Sequence, residues 1–459
     1  MPTPRDRHAR ASMLQGRALA SMLLGLVLAC GGETGPRPPA VVRVSDGDGQ
    51  IAQVGTELPA PIVVTVVDAD GRPAEGIAIS WHTSDGRVTA IDATTDGGGR
   101  ARARWALGEV EGARTAEATL AGADPAVFTA IAESREALPF DEPMVLAFET
   151  YDGSGQVVHP DYAVAPASAF GAGPHLAITP YPFGDATFEN PSLFEGQRKD
   201  RWTLPAGGPN PVVRPSVGYL SDPDLVSVPD AGELWLYYRQ VTNENLIHLI
   251  RTGDGRTWSE PVEVLHAPNH QIVSPSVVRR AVDDWWMFAV NSGPAGCGSD
   301  VTSVEVRRSA DGVHWGDAVP AAALEQPGLW PWHIDVQWIP SLRRFWALYN
   351  VKTPRGCTTP AVYLAESEDG IAWQVHPAPV LVKGALPVFQ DIVYRSTFEY
   401  DPVTDAVTFW FSGARWGDGR YRWGAAVERR HRERLSGRLA LRLDPAQLAP
   451  APAPLEEWP

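Results

Sequence analysis

The chain has 459 residues, 44% of them apolar and 20% charged, with a formal net charge of −16 at neutral pH. That apolar share excludes a disordered chain and calls for packed domains, about two to four at this length. The acidic balance excludes a protein that grips nucleic acid or an anionic lipid surface by charge.

The first 29 residues read as an export signal. Arg5, Arg7, Arg10 and Arg17 form a basic stretch, and "ALASMLLGLVLA" is an apolar run too short for an ordinary membrane span. It ends in "VLAC", with Cys30 followed by Gly31 and Gly32. Small and aliphatic residues before a cysteine resemble a bacterial lipoprotein lipobox, with valine instead of leucine three before the cysteine. The resemblance implies cleavage before Cys30, lipidation of Cys30 and residence at the cell envelope; an ordinary signal peptide is the alternative. No second long apolar run follows, so membrane contact is expected only through the lipid. Residues 30–40, rich in Gly and Pro, read as a flexible tether.

Residues 41–134 carry short alternating runs separated by Gly/Asp turns, as in "PIVVTVVDADGRP", "GIAISWHTSDG" and "TTDGGGRARARWAL". This is the pattern of a β-sandwich. The segment resembles the invasin/intimin-type bacterial Ig-like domain, which implies seven strands acting as a spacer or adhesive module. Residues 135–157 read as a connector whose "MVLAFETY" offers a closing strand.

From residue 158 a repeat takes over. "RTGDGRTW", "RSADGVHW" and "ESEDGIAW" end at Trp258, Trp315 and Trp373, and a worn copy, "EGQRKDRW", ends at Trp202. Five all-strand units of about 57 residues over 158–450, followed by a short tail (451–459), suit a five-bladed β-propeller. The whole chain is therefore expected to be all-β, a sandwich followed by a propeller. The turns recur because each blade needs the same hairpin between its third and fourth strands. Asp and Gly suit the turn, Ser or Thr bonds its backbone, and Trp fills the space between blades. These motifs are read as structural.

In a propeller the first strand of each blade lines the central channel. Its openings and the loops between second and third strands then share one rim. That rim collects His159 and Asp161, Asp222 and Asp224, Ser274 and Ser276, His333 and Asp335, and Arg395 and Ser396. The loops add Tyr181, Glu189, Asn190, Tyr238, Arg239, Asn291, Trp332 and Asn350. Carboxylates walled by aromatic rings suit a sugar site, because rings stack on pyranose faces and carboxylates serve as acid and base.

The blade openings "DPDL" and "SPSVV" together with the Asp-Gly…Trp turns resemble the five-bladed propellers of the arabinanase, levansucrase and invertase superfamily, which includes glycoside hydrolase families 43 and 32. The resemblance implies a glycoside hydrolase with Asp222, Asp224 and Glu189 as catalytic carboxylates. His159, Asp161, Tyr181, Asn190, Arg239, Trp332, His333, Asp335 and Arg395 would bind substrate. Two departures stand out: His159 occupies the position of the first-blade aspartate, and Ser274 that of the third-blade glutamate. A non-catalytic carbohydrate-binding lipoprotein is the rival reading. A sialidase needs a clamp of three arginines, and only Arg239 and Arg395 are candidates. No cofactor or metal is expected, the partner is a carbohydrate and not nucleic acid, and the chain is read as a monomer. The functional pocket is expected to contain Asp222, Asp224, Glu189 and Asp335 together.

Cys297 and Cys357 lie in equivalent loops of neighbouring blades. A disulfide between them is expected in an oxidising compartment, with two free thiols or a metal pair as alternatives.

Overall fold

The computed structural model describes residues 39–134, 137–166 and 173–435. The export signal, Cys30, most of the tether and the C-terminal tail lie outside the described residues. No helix among those described is long and apolar enough to cross a membrane.

The N-terminal part is a sandwich of two four-stranded sheets. One runs in the order Pro39–Asp46, Ile62–Asp68, Arg100–Ala106, Arg87–Ala90; the other Gln50–Gln53, Ala126–Glu133, Gly112–Thr119, Ser80–Thr83. Eight strands form where seven are expected. The extra one arises because the first strand changes sheets. After Asp46 the chain turns through Gly47 and Gly49, both at positive φ, and Gln50–Gln53 pairs in parallel with Ala126–Glu133. A side chain at Gly47 would meet the Pro61 carbonyl at 2.2 Å, so only glycine fits the crossing. "RARARWA" buries Ala101, Ala103 and Trp105 against Val64, Val66 and Phe128 and leaves its arginines exposed, the period-2 pattern of a half-buried strand.

Five blades follow, each of four strands except the fourth, which has a fifth strand, Leu381–Val382. Their inner strands are Val157–Val164, Tyr219–Val228, Val273–Ala281, Trp330–Ile339 and Ile392–Asp401. The second strands are Pro174–Pro180, Glu233–Val241, Asp284–Asn291, Arg344–Lys352 and Ala406–Gly417, and the third are Ser192–Arg198, Glu244–Thr252, Ser303–Ser309, Ala361–Ser367 and Arg420–His431. The outermost strand of blade five is Met144–Val145, which precedes blade one in the chain and pairs with Arg420–His431. The ring is therefore closed by the connector.

The recurrent turns share one hydrogen-bond pattern. Asp254, Asp311 and Asp369 each accept two backbone N–H groups on the far side of the turn, and Thr252, Ser309 and Ser367 each accept the glycine N–H. Trp258, Trp315 and Trp373 pack between their own blade and the preceding one. Gly312 and Gly370 are at positive φ, and a Cβ there would come within 2.8 Å of the Tyr237 hydroxyl and 2.7 Å of the Trp286 ring. The turns hold blade to blade and lie away from the channel.

Candidate functional site

Every inner strand is bulged where it enters the channel. Its register against the second strand slips between Val158 and Asp161, Ser221 and Asp224, Val273 and Ser276, Pro331 and His333, and Val393 and Ser396. In the first three blades the bulged residue is at positive φ: His159 (57°), Asp222 (49°) and Ser274 (54°). A bulge interrupts the two-residue alternation and re-aims a side chain. Strain at such φ for residues other than glycine persists only where the surroundings enforce it. Each strand thereby offers the channel two layers of polar groups, all buried.

The first layer lies next to the loops between second and third strands. Asp222 is its centre. Its Oδ2 is 2.9 Å from Arg239 Nε and accepts the Ser274 N–H. Its Oδ1 is 3.2 Å from His333 Nδ1 and 3.4 Å from His159 Nε2. These three facing atoms are too poorly aligned to hydrogen-bond one another, and none has a hydrogen-bond partner among the described residues. Burial would raise the Asp222 carboxyl, but Arg239 and the two imidazoles hold it well below the usual carboxylate range. Burial pushes both imidazoles down, against the pull of Asp222. The resting state is thus an ionised carboxylate between two neutral imidazoles.

Glu189 stands beside them. Its Oε2 accepts the Ser221 hydroxyl at 2.5 Å and lies 3.4 Å from His159 Nδ1. Burial raises its carboxyl to about 8, against the Ser221 hydrogen bond. A cavity of about 170 Å³ opens onto this layer, lined among others by His159, Glu189, Arg239, His333, Trp332 and Tyr394. Tyr181 and Trp423 complete its aromatic wall, and the Cys297–Cys357 disulfide, present as expected, lies on its rim.

The second layer, two residues further along the same strands, consists of Asp161, Asp224, Ser276, Asp335 and Thr397. Here most acceptors are engaged, Asp335 Oδ2 being without a hydrogen-bond partner among the described residues. Asp161 accepts the Leu225 N–H of blade two at 2.6 Å, Asp224 the Val277 N–H of blade three at 2.9 Å, and Ser276 the Val336 N–H of blade four at 2.8 Å. Asp335 bonds Thr397 of blade five, and Thr397 accepts the Tyr162 N–H of blade one. This belt runs around the channel and stitches every blade to the next. Arg395 spans the layers, with Nη2 3.3 Å from Asp161 and 3.7 Å from Asp224 and Nη1 4.0 Å from Asp222. Burial nonetheless lifts Asp224 to about 8 and Asp335 to about 6. A separate cavity of about 600 Å³ faces this layer.

The expected grouping of Asp222, Glu189, Asp224 and Asp335 therefore divides. Glu189 lines the first cavity, and Asp222 lies buried behind His159 and His333, which line it too; Asp224 and Asp335, with Asp161, belong to the belt and face the second. The bulge causes the split, because it lets residues two apart on one strand open on different cavities. Arg395 is a counter-charge within the channel and does not line the first cavity. Asn190 does not line it either: its amide donates to the Tyr151 hydroxyl, which donates to the Phe188 carbonyl, and so fastens the loop that carries Glu189. His159, Tyr181, Arg239, Trp332 and His333 do line the cavity.

Sequence reasoning passed over Tyr394, Tyr219, Ser221, His270 and Trp423, which also line it. Tyr394 accepts the Trp332 indole N–H at 3.1 Å, and its ring centre is 4.5 Å from that of His333 and 5.4 Å from that of His159. Its signal was its place beside Arg395, but strict alternation turns it away from the channel.

Two groups of three donors lie close enough to hold a cation: His159, Asp222 and His333, and Asp161, Asp224 and Asp335. The second already surrounds the Arg395 guanidinium. The first offers two imidazole nitrogens from residues that line the cavity and a carboxylate oxygen buried behind them. Three such ligands with an open side match a catalytic divalent-metal centre.

No family model matches the chain. Over 321 residues it is 27% identical to an A type blood N-acetyl-α-D-galactosamine deacetylase from Flavonifractor plautii, a match covering 60% of this chain. The chain spans about 40% of the length of that curated relative. The crystal structure of an N-acetylgalactosamine deacetylase from F. plautii in complex with blood group B trisaccharide aligns with a TM-score of 0.57 at 22% identity, over 63% of this chain and 94% of that one. A Penicillium chrysogenum α-L-arabinanase complexed with arabinobiose aligns with a TM-score of 0.41 at 12% identity, over 85% and 95% of the two chains. The fold of the propeller is thus shared with the N-acetylgalactosamine deacetylase structure.

Proposed function

We propose that this protein is a metal-assisted hydrolase that removes the acyl group of an acetamido sugar bound at the channel mouth. The observation that carries the proposal is the convergence of donor atoms from His159, Asp222 and His333, the two imidazoles lining an aromatic-walled cavity and the Asp222 carboxylate buried behind them. A divalent cation held there would supply Lewis-acid polarisation of the acyl carbonyl. Arg239 keeps Asp222 ionised and fixed. Burial keeps both imidazoles neutral, with their lone pairs free. Glu189, held by Ser221 on the cavity wall and protonated at neutral pH, is placed to protonate the leaving amine as the C–N bond breaks, and it regains a proton from the water that attacks the acyl carbon. Trp332, Tyr394, Tyr181 and Trp423 supply ring faces for a pyranose and exclude water. The deacetylase named in the 27% match supports the acetamido sugar as substrate class.

The glycoside-hydrolase reading requires two carboxylates flanking one bond. Asp224 is withdrawn into the belt and Asp222 is tied to Arg239 and two imidazoles, which leaves Glu189 alone. The assay therefore separates two products from one N-acetylhexosamine-terminated oligosaccharide: free acetate or free monosaccharide. Acetate release, abolished by chelation and restored by a divalent cation, is expected. Release of the terminal sugar with its acetyl group intact would overturn the reading. The same proposal includes export and lipidation of Cys30, which holds the enzyme at the cell envelope beside extracellular glycans. Mass spectrometry of membrane-extracted protein should find residues 1–29 absent and Cys30 acylated; a soluble form with free Cys30 would remove that part.

A further inference from the structure

The second and third strands of blade five run to 12 residues each, against seven to nine in the other blades. The surplus continues past the cavity as a hairpin, where blades one and three carry irregular loops. Trp423 lines the cavity and is 5% exposed; Trp416, near the hairpin tip, is 42% exposed. Between them is Tyr421, two residues from Trp423 and directly opposite Trp416 across the strand pair. Residues two apart, and residues opposite one another, share a sheet face. The contacts confirm a continuous row: Tyr394 to Trp423 5.2 Å between ring centres, Trp423 to Tyr421 6.3 Å, and Tyr421 to Trp416 4.8 Å. The Trp416 N–H donates to Asp391 at 2.7 Å, which fixes the strand where the row leaves the cavity.

A large exposed tryptophan on a hairpin tip adds nothing to a core. The cavity, at about 170 Å³, is well below the roughly 300–1,000 Å³ of sites that enclose larger ligands, so it holds one ring and not a chain. We infer that Trp416 and Tyr421 form an outer platform for the second and third rings of an oligosaccharide whose terminal acetamido sugar occupies the cavity. The inference rests on the acetamido-sugar reading above and adds to it that the substrate is an oligosaccharide, gripped by stacking outside the reaction centre.

The test compares methyl N-acetyl-α-D-galactosaminide with the blood group A trisaccharide, in acetate release and in calorimetric binding. The variants are Trp416→Ala, Tyr421→Leu and the milder Trp416→Phe, with the melting temperature as the check on folding. Wild type is expected to prefer the trisaccharide. Trp416→Ala should lower its kcat/KM and affinity by about tenfold, mainly through KM, and leave the monosaccharide values unchanged, with Trp416→Phe in between. Equal losses on both sugars, or none on the trisaccharide, would overturn the platform and leave the functional reading intact. Trisaccharide binding without acetate release, still weakened by Trp416→Ala, would sink the functional reading and keep the platform. Failure of wild type to bind either sugar would overturn both.

Discussion

The two polar layers of the channel come from the same five strands, two residues apart, and differ in the partners of their polar atoms. In the belt, Asp161, Asp224, Ser276 and Thr397 each accept a backbone N–H from the next blade, and Arg395 neutralises part of the charge. In the layer above, the facing atoms of His159, Asp222 and His333 have no such partner among the described residues. Buried polar groups in proteins are almost always bonded, so each unsatisfied one calls for an explanation. The belt explains itself by holding the ring together. The upper layer, whose two imidazoles line the cavity, is where the proposed cation would supply the missing partner. The layers differ in residue type too: both histidines and one Asp lie in the upper layer, and three Asp in the belt.

Several experiments sharpen or break this contrast. The largest effect is expected on activity: His333→Ala or Asp222→Asn should cost more than the roughly 10–100-fold typical of groups that merely support a metal ligand, with loss of bound divalent metal by elemental analysis. Stoichiometric metal in either variant would place the cation elsewhere. Reduction of Cys297–Cys357, which closes a loop of 60 residues on the cavity rim, should lower stability by about 4 kcal/mol in the chain-entropy treatment. A melting temperature indifferent to reductant would deny the bridge that role. Asp224→Ala removes the acceptor of the buried Val277 N–H and should cost about 2–3 kcal/mol, read by denaturant titration, while metal content is kept. Loss of metal with unchanged stability would reverse the assignment of the two layers. Arg239→Lys should weaken metal binding by about 10-fold with little change in melting temperature.

The smallest effect is a pH dependence. Asp224 has a raised carboxyl, near 8, and Asp335 lies near 6, both above their unfolded values. Between about pH 4 and 8 the folded state therefore holds protons that the unfolded chain has lost. This stabilisation is complete below the unfolded value and fades as pH rises through the folded ones. Asp335→Asn removes one of three competing carboxyls around Arg395, so its melting temperature should fall less than that of wild type between pH 5 and pH 8.5. A steeper fall would show that the trio is not short of room for charge.

The all-β architecture, the five units and the structural nature of the Asp-Gly…Trp turns were legible because each rests on local chemistry repeated in the chain. The disulfide followed from equivalent loop positions. The candidate site was legible only in part. Every channel residue but Thr397, where Ser396 was expected, was identified, because inner-strand openings carry polar residues where alternation predicts apolar ones. Their division into two layers was not, because a bulge adds one residue to a strand without a composition signal of its own; "HPD" and "DPD" look alike whether one or both polar residues face the same cavity. Tyr394 was missed for the same reason, and Trp423 because it belongs to a hairpin whose extra length is visible only against the other blades. The donor set was hidden in three segments 63 and 111 residues apart, spacings that no local motif encodes.

The strand Met144–Val145 closes the propeller from the N-terminal side, and its neighbourhood is clamped. Arg429 pairs with Glu133 at the end of the sandwich and lies 4.2 Å above the Phe140 ring, which stacks on His431 at 3.8 Å. Chain order puts these elements in mechanical series. Tension arriving from the N-terminal side crosses the sandwich and meets the propeller at the seam between its first and last blades, where the short pairing of Met144–Val145 is backed by the ion pair of Arg434 with Asp141 and by the stacking of Tyr162 on Trp410. The seam is thus the point at which pulling on the chain would unzip the ring.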